Sequence, residues 1–212
     1  MNSPETCAPD ADTLTVGGIV LCGGRSSRMG RPKLSLPFGD ELLLQRVVRI
    51  LGEVVSPVVV VAAPDQEVPP LPDDVRVFRD DQEGRGPLAG LAVGLEALDG
   101  EVDAAYVSAC DVPLLQPQFV RAIIERLGSH ELAIPREDRF HHPLAAVYRT
   151  SLAGRVRDLL AADRLRPFFL LEESDAALID VDQLRSLDPE LQSLRNLNTP
   201  EEYAAALRDC GE

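Results

Sequence analysis

Four cations fall within nine consecutive positions: Arg25, Arg28, Arg31 and Lys33, in the stretch LCGGRSSRMGRPK from Leu21 to Lys33. From Thr13 to Gly39 there is no Asp or Glu, although the whole chain carries a formal charge of −14. Gly23, Gly24 and Gly30 let the main chain turn tightly and bring N–H groups close to a ligand. Guanidinium and ammonium groups beside such N–H groups suit a polyphosphate. Much farther along, Asp111 follows an apolar run in SACDVP. A carboxylate there can hold Mg2+, a hard ion that prefers oxygen and keeps several waters. An anion loop plus a magnesium carboxylate suits phosphoryl-type transfer, in which the protein supplies position and positive charge. The plainer alternatives are a solvated basic loop and an N-capping aspartate before Pro113.

Two familiar phosphate loops do not fit the spacing. A Walker loop needs four residues between its glycines and a Lys-Ser/Thr pair directly after the second. Here five residues separate Gly24 from Gly30, and Lys33 comes later, followed by Leu34. Nor do Gly23, Gly24 and Gly30 give the G-x-G-x-x-G spacing of a dinucleotide turn. A P-loop kinase and an ordinary NAD enzyme are therefore set aside.

Placing these groups requires a scaffold, and the hydrophobic pattern supplies one. TVGGIVLC, PVVVVAA, VRVF, AAYVSAC, ELAIPRE, HPLAAVYR and AALIDV read as strands, the unbroken β-branched runs as buried parallel ones. ELLLQRVVRIL has helical spacing, with Leu43, Val47, Ile50 and Leu51 on one side. GPLAGLAVGLEAL, QPQFVRAIIERLG, SLAGRVRDLLAA, PFFLLEE and TPEEYAAALRD also read as helices. Strands alternate with helices for most of the length. That pattern predicts an α/β fold with a doubly wound, mostly parallel sheet covered on both faces. Ligands of such sheets lie beyond the carboxyl ends of the strands. Gly23 to Lys33, Asp80 and Asp111 all fall at such ends.

The 212 residues suit one domain, expected over residues 15–212 after a disordered lead-in at 1–14. The acidic balance argues against a nucleic-acid or membrane-surface protein. The first residues lack the basic and apolar regions of a signal peptide. Cys7, Cys22, Cys110 and Cys210 form no CxxC pair, which argues against zinc or a disulfide framework. The cytoplasm is the expected compartment. Cys22 and Cys110 read as small buried hydrophobes.

The glycine-rich stretch closely resembles the signature L-x-G-G-x-x-x-R-M-G-x-x-K of nucleotidyltransferases that activate small molecules. It is most similar to the molybdenum cofactor guanylyltransferases. The resemblance continues in RDDQEGRGPLAG, SACDVPLL, FHHPLAAVY and LRNLNTPEEY, in the family's order and over most of the chain. It implies a Rossmann-like nucleotidyltransferase fold and a set of roles. Leu21, Cys22 and Gly23 would contact the nucleotide through their main chain, with Gly24 beside them. Arg28 and Lys33 would bind the triphosphate, and Asp111 the nucleotide and Mg2+, these three forming the catalytic set. Asp80 matches an aspartate that contacts the nucleotide, with Asp81 a lesser candidate; a turn role competes for both. Gly86 to Gly90 match a G-P-L-A-G element in which small residues let a base lie against the main chain. His142, from the H-P pair, and Asn196 and Asn198 fall on the acceptor side. Thr199 and Pro200 also make a good helix start, so capping explains part of that motif. The family commonly has Asn near the position of Ala62, and often Ala where this chain has Cys22.

The implied reaction transfers GMP from GTP to the phosphate of molybdopterin and releases pyrophosphate. Its nucleophile is already an anion, so no catalytic Ser, Cys or His is needed. The implied partners are GTP, a molybdopterin-type cofactor and, transiently, the proteins that insert or receive it. The alternatives are a sister enzyme using CTP or another acceptor, and a nucleotide-binding protein without turnover.

Overall fold

Continuous apolar runs make the centre of a sheet. β1 (Val16–Leu21) is buried along all but its first residue, β4 (Val58–Ala62) and β6 (Ala104–Ala109) along their whole length. Strands covered on both faces need no polar alternation, which is why these runs read as they do. The structure, a computed structural model, describes residues 14–23, 33–80 and 84–210. The expected lead-in lies outside the described residues except for Leu14. So do Gly24, Arg25, Arg28, Gly30, Arg31 and Asp81.

Two short strands, β2 (Pro37–Phe38) and β3 (Glu41–Leu42), pair as a small hairpin with Gly39 at φ 63° in its turn. Then follow α1 (Leu43–Gly52), β4, β5 (Arg76–Arg79), α2 (Pro87–Leu98), β6 and α3 (Pro117–Glu125). The last third holds β7 (Leu132–Glu137), β8 (Phe140–His141), β9 (Ala145–Arg149), α4 (Ala153–Ala161), α5 (Pro167–Glu172), β10 (Ala176–Asp180) and α6 (Pro200–Asp209). The large sheet has the order β10-β7-β9-β6-β1-β4-β5, with β8 on β7.

β1 pairs in parallel with both β4 and β6, Leu21 lying opposite Val61 and Ala109. The chain runs outward from β1 to β4 and β5, then returns to β6 on the other side of β1. Strand order therefore reverses at β1 and β6, the point at which sheets of this kind form a ligand crevice beyond the strands' carboxyl ends. Gly23 and Asp111 stand at that crevice.

One strand breaks the parallel pattern. β9 is antiparallel to both β6 and β7. Only the short segment with β8 separates it from β7, and a parallel crossover needs a dozen or more residues. The sheet is mixed for that reason.

Alternate residues of β1 serve opposite layers, as the two-residue period of a strand requires. Val20 belongs to the core with Val47 and Leu51 of α1 and Phe119 of α3. Ile19 and Leu21 belong to the core with Leu91 and Leu95 of α2 and Val156 of α4. α2 lies very close to the sheet: a Cβ on Gly94 would stand 2.6 Å from Cγ2 of Ile19, a fully buried side chain. Gly94→Ala is expected to overpack this contact and destabilise the protein by about 1–3 kcal/mol. Urea or thermal unfolding checks it, with Gly52→Ala as the control, since a Cβ there meets nothing within 4 Å.

Candidate active site

Four of the residues singled out by sequence meet in one cluster. Lys33 Nζ donates to Asp111 Oδ2 at 2.7 Å and to Asn198 Oδ1 at 2.8 Å. Asn196 Nδ2 donates to Asp111 Oδ1 at 2.7 Å. The side chains of Lys33 and Asp111 are only 17% and 11% exposed, so the ion pair is largely shielded from water. Asp111 thus carries a hydrogen bond on each oxygen.

Each member is placed by its local structure. Asp111 follows the buried strand β6 and is tied through its main chain, Leu197 N–H donating to Asp111 O at 2.9 Å. Lys33 opens a single helical turn, Lys33–Ser35, whose Leu34 is buried. Beyond it Leu36 and Phe38 pack with Leu43, Leu114, Leu197 and Ala206 in a separate small core. Tyr203 of α6 donates its hydroxyl to the carbonyl of Pro37, joining that core to the helix.

α6 also sets the asparagines. Thr199 caps it by accepting from Glu202 N–H at 3.2 Å. Glu202 Oε2 accepts in return from the N–H groups of Asn198 and Thr199, at 2.6 and 3.0 Å. Sequence reasoning saw Thr199 and Pro200 as a helix start but missed Glu202. Its spacing from Thr199 was the available signal, because a Glu at the third helical position closes a capping box. Glu202→Ala is expected to lower kcat about 10- to 100-fold by loosening Asn198, and through it Lys33. Glu202→Gln should restore most of that rate, since its amide oxygen can still accept.

The other nucleotide candidates line the crevice at different distances. The Leu21 carbonyl accepts from Cys110 N–H at 3.1 Å, and Cys22 N–H donates to Val61 O at 2.8 Å. Sheet pairing occupies those two groups. Gly23 is exposed, and a Cβ there would meet nothing within 4 Å. It is the residue of the three whose main chain is best placed for a ligand. Cys22 and Cys110 are both buried. Their mutual hydrogen bond, then burial, holds the Cys22 thiol well above its usual range, so it stays protonated and is no nucleophile.

Asp80 directly follows β5, its N–H donating to Ala62 O at 2.9 Å. It stands three strands from Asp111, about 14 Å at ordinary strand spacing, and does not join the cluster. Ala62 lies between them with its side chain in the core, so it offers the crevice no polar group. Gly86, at φ 74°, precedes Pro87 and starts α2. Gly90 is one turn further in, where a Cβ would stand 3.3 Å from Cδ2 of Leu21. Close packing of helix on sheet is one reason for a glycine there.

His142 leads into β9, the strand next to β6, and takes no part in the cluster's hydrogen bonds. Its ring meets Phe140 edge-on at 5.0 Å, and its Nε2 is buried without a partner among the described residues. Burial lowers its pKa, against an opposing pull from Glu137, so the ring is neutral at pH 7. Among the described residues no three His, Cys, Asp or Glu side chains gather into a metal-binding group.

This geometry has known counterparts. Residues 18–177 match the family model described as MobA-like NTP transferase domain. A relative from Mycobacterium tuberculosis named probable molybdenum cofactor guanylyltransferase is 40% identical over 194 residues, covering 89% of this chain and 94% of its own. The crystal structure of molybdopterin-guanine dinucleotide biosynthesis protein A from Archaeoglobus fulgidus shares the fold. Its TM-score is 0.75 at 24% identity, over 92% of this chain and 98% of that one. The fold is shared too by 2-C-methyl-D-erythritol 4-phosphate cytidylyltransferase from Thermus thermophilus, with a TM-score of 0.68 at 16% identity over 92% and 98%.

Proposed function

We propose that this chain, which belongs to the MobA-like NTP transferase family, transfers GMP from GTP to the terminal phosphate of molybdopterin. The observation that carries the reading is the cluster at the switch point: Lys33 paired with Asp111, each held by an asparagine of the same NLN segment. A phosphate oxygen of the acceptor forms a bond to the α-phosphorus. The bond from that phosphorus to the bridging oxygen of the β-phosphate breaks, and pyrophosphate leaves with its electron pair.

The ammonium of Lys33 offers positive charge to the triphosphate as charge moves onto the leaving group. Asn198 and Asp111 hold that ammonium in place, so little reorganisation is needed during the reaction. Asn196 orients the carboxylate of Asp111. Gly23 supplies main-chain groups, and Arg28 adds a second cation to the triphosphate. Asp80 and Ala62 stand on the side of β1 where the nucleoside lies. His142 lies toward the acceptor.

The donor set at Asp111 fits Mg2+. Its oxygens are hard donors, each keeps lone-pair capacity beyond the hydrogen bond it accepts, and Mg2+ is commonly held by one or two carboxylates plus substrate phosphates. Bound there, the ion would supply Lewis-acid neutralisation of phosphate charge. The reading includes a cytoplasmic location, which the free thiols of Cys22, Cys110 and Cys210 support. No described helix is long and apolar enough to cross a membrane. Proteins that insert or receive the finished cofactor are the proposed transient partners.

A cytidylyl reading is the competitor, because the same fold carries a CTP enzyme and Ala62 removes one polar group from the nucleoside side. Pyrophosphate release with Mg2+, molybdopterin and each nucleoside triphosphate in turn separates the two. Release with GTP supports the proposal. Release with CTP alone moves the chain to the sister reaction, and GTP binding without release sinks the enzyme reading.

A further inference from the structure

Each segment that carries a member of the Lys33–Asp111 cluster sends an apolar side chain into one small core. Leu36 and Phe38 follow Lys33, Leu114 follows Asp111, and Leu197 stands between the two asparagines. Burial in a common core sets how these segments lie against one another. α1 adds Leu43 to the same core, and Arg46 stands three positions further along the helix, on the same side. Its guanidinium lies 5.0 Å from the centre of the Phe38 ring, a fully buried side chain. The Arg46 side chain is 25% exposed, against 49% for Arg49 on the next turn.

The polar contacts of Arg46 reach the same segments. Its Nε donates to the carbonyl of Pro113 at 2.8 Å. Pro113 lies two residues after Asp111, inside a turn closed by Leu115 N–H on Val112 O at 3.1 Å. The far end of that segment is tied separately, Gln116 N–H donating to Ser193 Oγ at 3.0 Å. Arg46 Nη2 donates to Cys210 Sγ at 3.7 Å, at the carboxyl end of α6. Nη1 stands 3.8 Å from Glu41 Oε2 in β3. One planar fork thus joins the small hairpin, the segment after Asp111 and the helix whose start sets Asn198. Arg49 bonds instead to Glu41 and Glu53, at the surface.

We infer that Arg46 is a positioning residue for the transfer reaction, fixing Lys33 and Asp111 relative to each other through the Phe38 ring and the Pro113 carbonyl. The inference rests on the transfer reading above and adds a residue that acts through Lys33 and Asp111, not on the substrate itself. The ring belongs to the segment of Lys33 and the carbonyl to that of Asp111, so the guanidinium bridges the two. A lysine there would keep a cation over the ring but lacks the rigid fork that meets carbonyl and thiol together. A displacement of about 1 Å between groups that act together is enough to cost about 100-fold in rate.

Arg46→Ala should lower kcat about 10- to 100-fold and leave the KM for GTP within about twofold, because it misplaces groups that act in the transition state and removes none of them. Arg46→Lys, which keeps the cation over Phe38, should lose about tenfold in kcat. Arg49→Ala should turn over like wild type. The deciding measurement repeats Arg46→Ala in the Lys33→Ala protein. With the ammonium gone there is no pair left to align, so the second substitution should cost less than about threefold. Where Arg46→Ala does not fold, Arg46→Lys carries the same cycle. A loss as large in the Lys33→Ala background as in wild type marks general damage to the fold and overturns the inference. So does a wild-type kcat in both Arg46 variants, or an equal loss in Arg49→Ala. Absence of pyrophosphate release from the wild type removes the transfer reading itself. Release from the wild type with an unaltered kcat in the Arg46 variants removes only the positioning role.

Discussion

Replacing Lys33 by Ala should lower kcat with GTP about 100- to 1,000-fold, the usual loss when one positioned charge-stabilising group is removed. The effect should fall on kcat more than on KM, because the ammonium counts most as charge gathers on departing pyrophosphate. The fold should survive. Lys33 sits at the start of a single turn, and the neighbouring core of Leu36, Phe38 and Leu114 does not depend on it. Asp111 loses one of two side-chain partners but keeps Asn196. Leaving a shielded carboxylate oxygen without its partner costs about 1–3 kcal/mol, a few degrees in melting temperature for a chain this long. Steady-state rates and a melting curve on the same sample separate the two effects. A wild-type rate in Lys33→Ala refutes the assigned role.

Asp111→Asn should be at least as damaging, although it changes the side chain's shape little. An amide presents one acceptor and one donor. If its oxygen keeps the bond from Asn196, its NH2 faces the ammonium of Lys33. If it turns over, the NH2 faces the NH2 of Asn196. Either way two donors confront each other at a site where both carboxylate oxygens now accept. The hard anionic donor is lost as well. Turnover should fall by about 100- to 1,000-fold or more, and dependence of the residual rate on added Mg2+ should flatten. A magnesium titration of wild type and variant checks this. An Asp111→Asn enzyme with the wild-type magnesium response would remove Asp111 as the metal-holding residue.

Much of the scaffold was legible in sequence because it rests on local pattern. PVVVVAA and AAYVSAC are apolar without interruption, as strands buried on both faces must be, and they became β4 and β6. QPQFVRAIIERLG carried its own helix punctuation and became α3. The direction of β9 does not show in its residues, only in the short connection from β7. The small hairpin of β2 and β3 was not foreseen, since two-residue strands leave no periodic signal.

The site was legible as parts and not as an arrangement. Lys33, Asp111, Asn196 and Asn198 were each marked by motif, yet 78 residues separate the first two and 165 separate Lys33 from Asn198. No local rule brings such positions together; strand order does. At Gly90 two readings meet: its motif points to a ligand, and its surroundings add a helix packed tightly on Leu21, which can hold at the same time. Glu202 was missed because a capping residue is read for the helix it starts, and not for the side chain that its partner residue holds.

The central claim is a bond between the α-phosphorus of GTP and a phosphate of the acceptor. GTP labelled at the α-phosphate, incubated with the protein, Mg2+ and molybdopterin, tests it directly. The label should appear in a molybdopterin guanine dinucleotide, with one unlabelled pyrophosphate released for each one formed. Label that stays in GTP, or that ends in free GMP with none on the pterin, would contradict it.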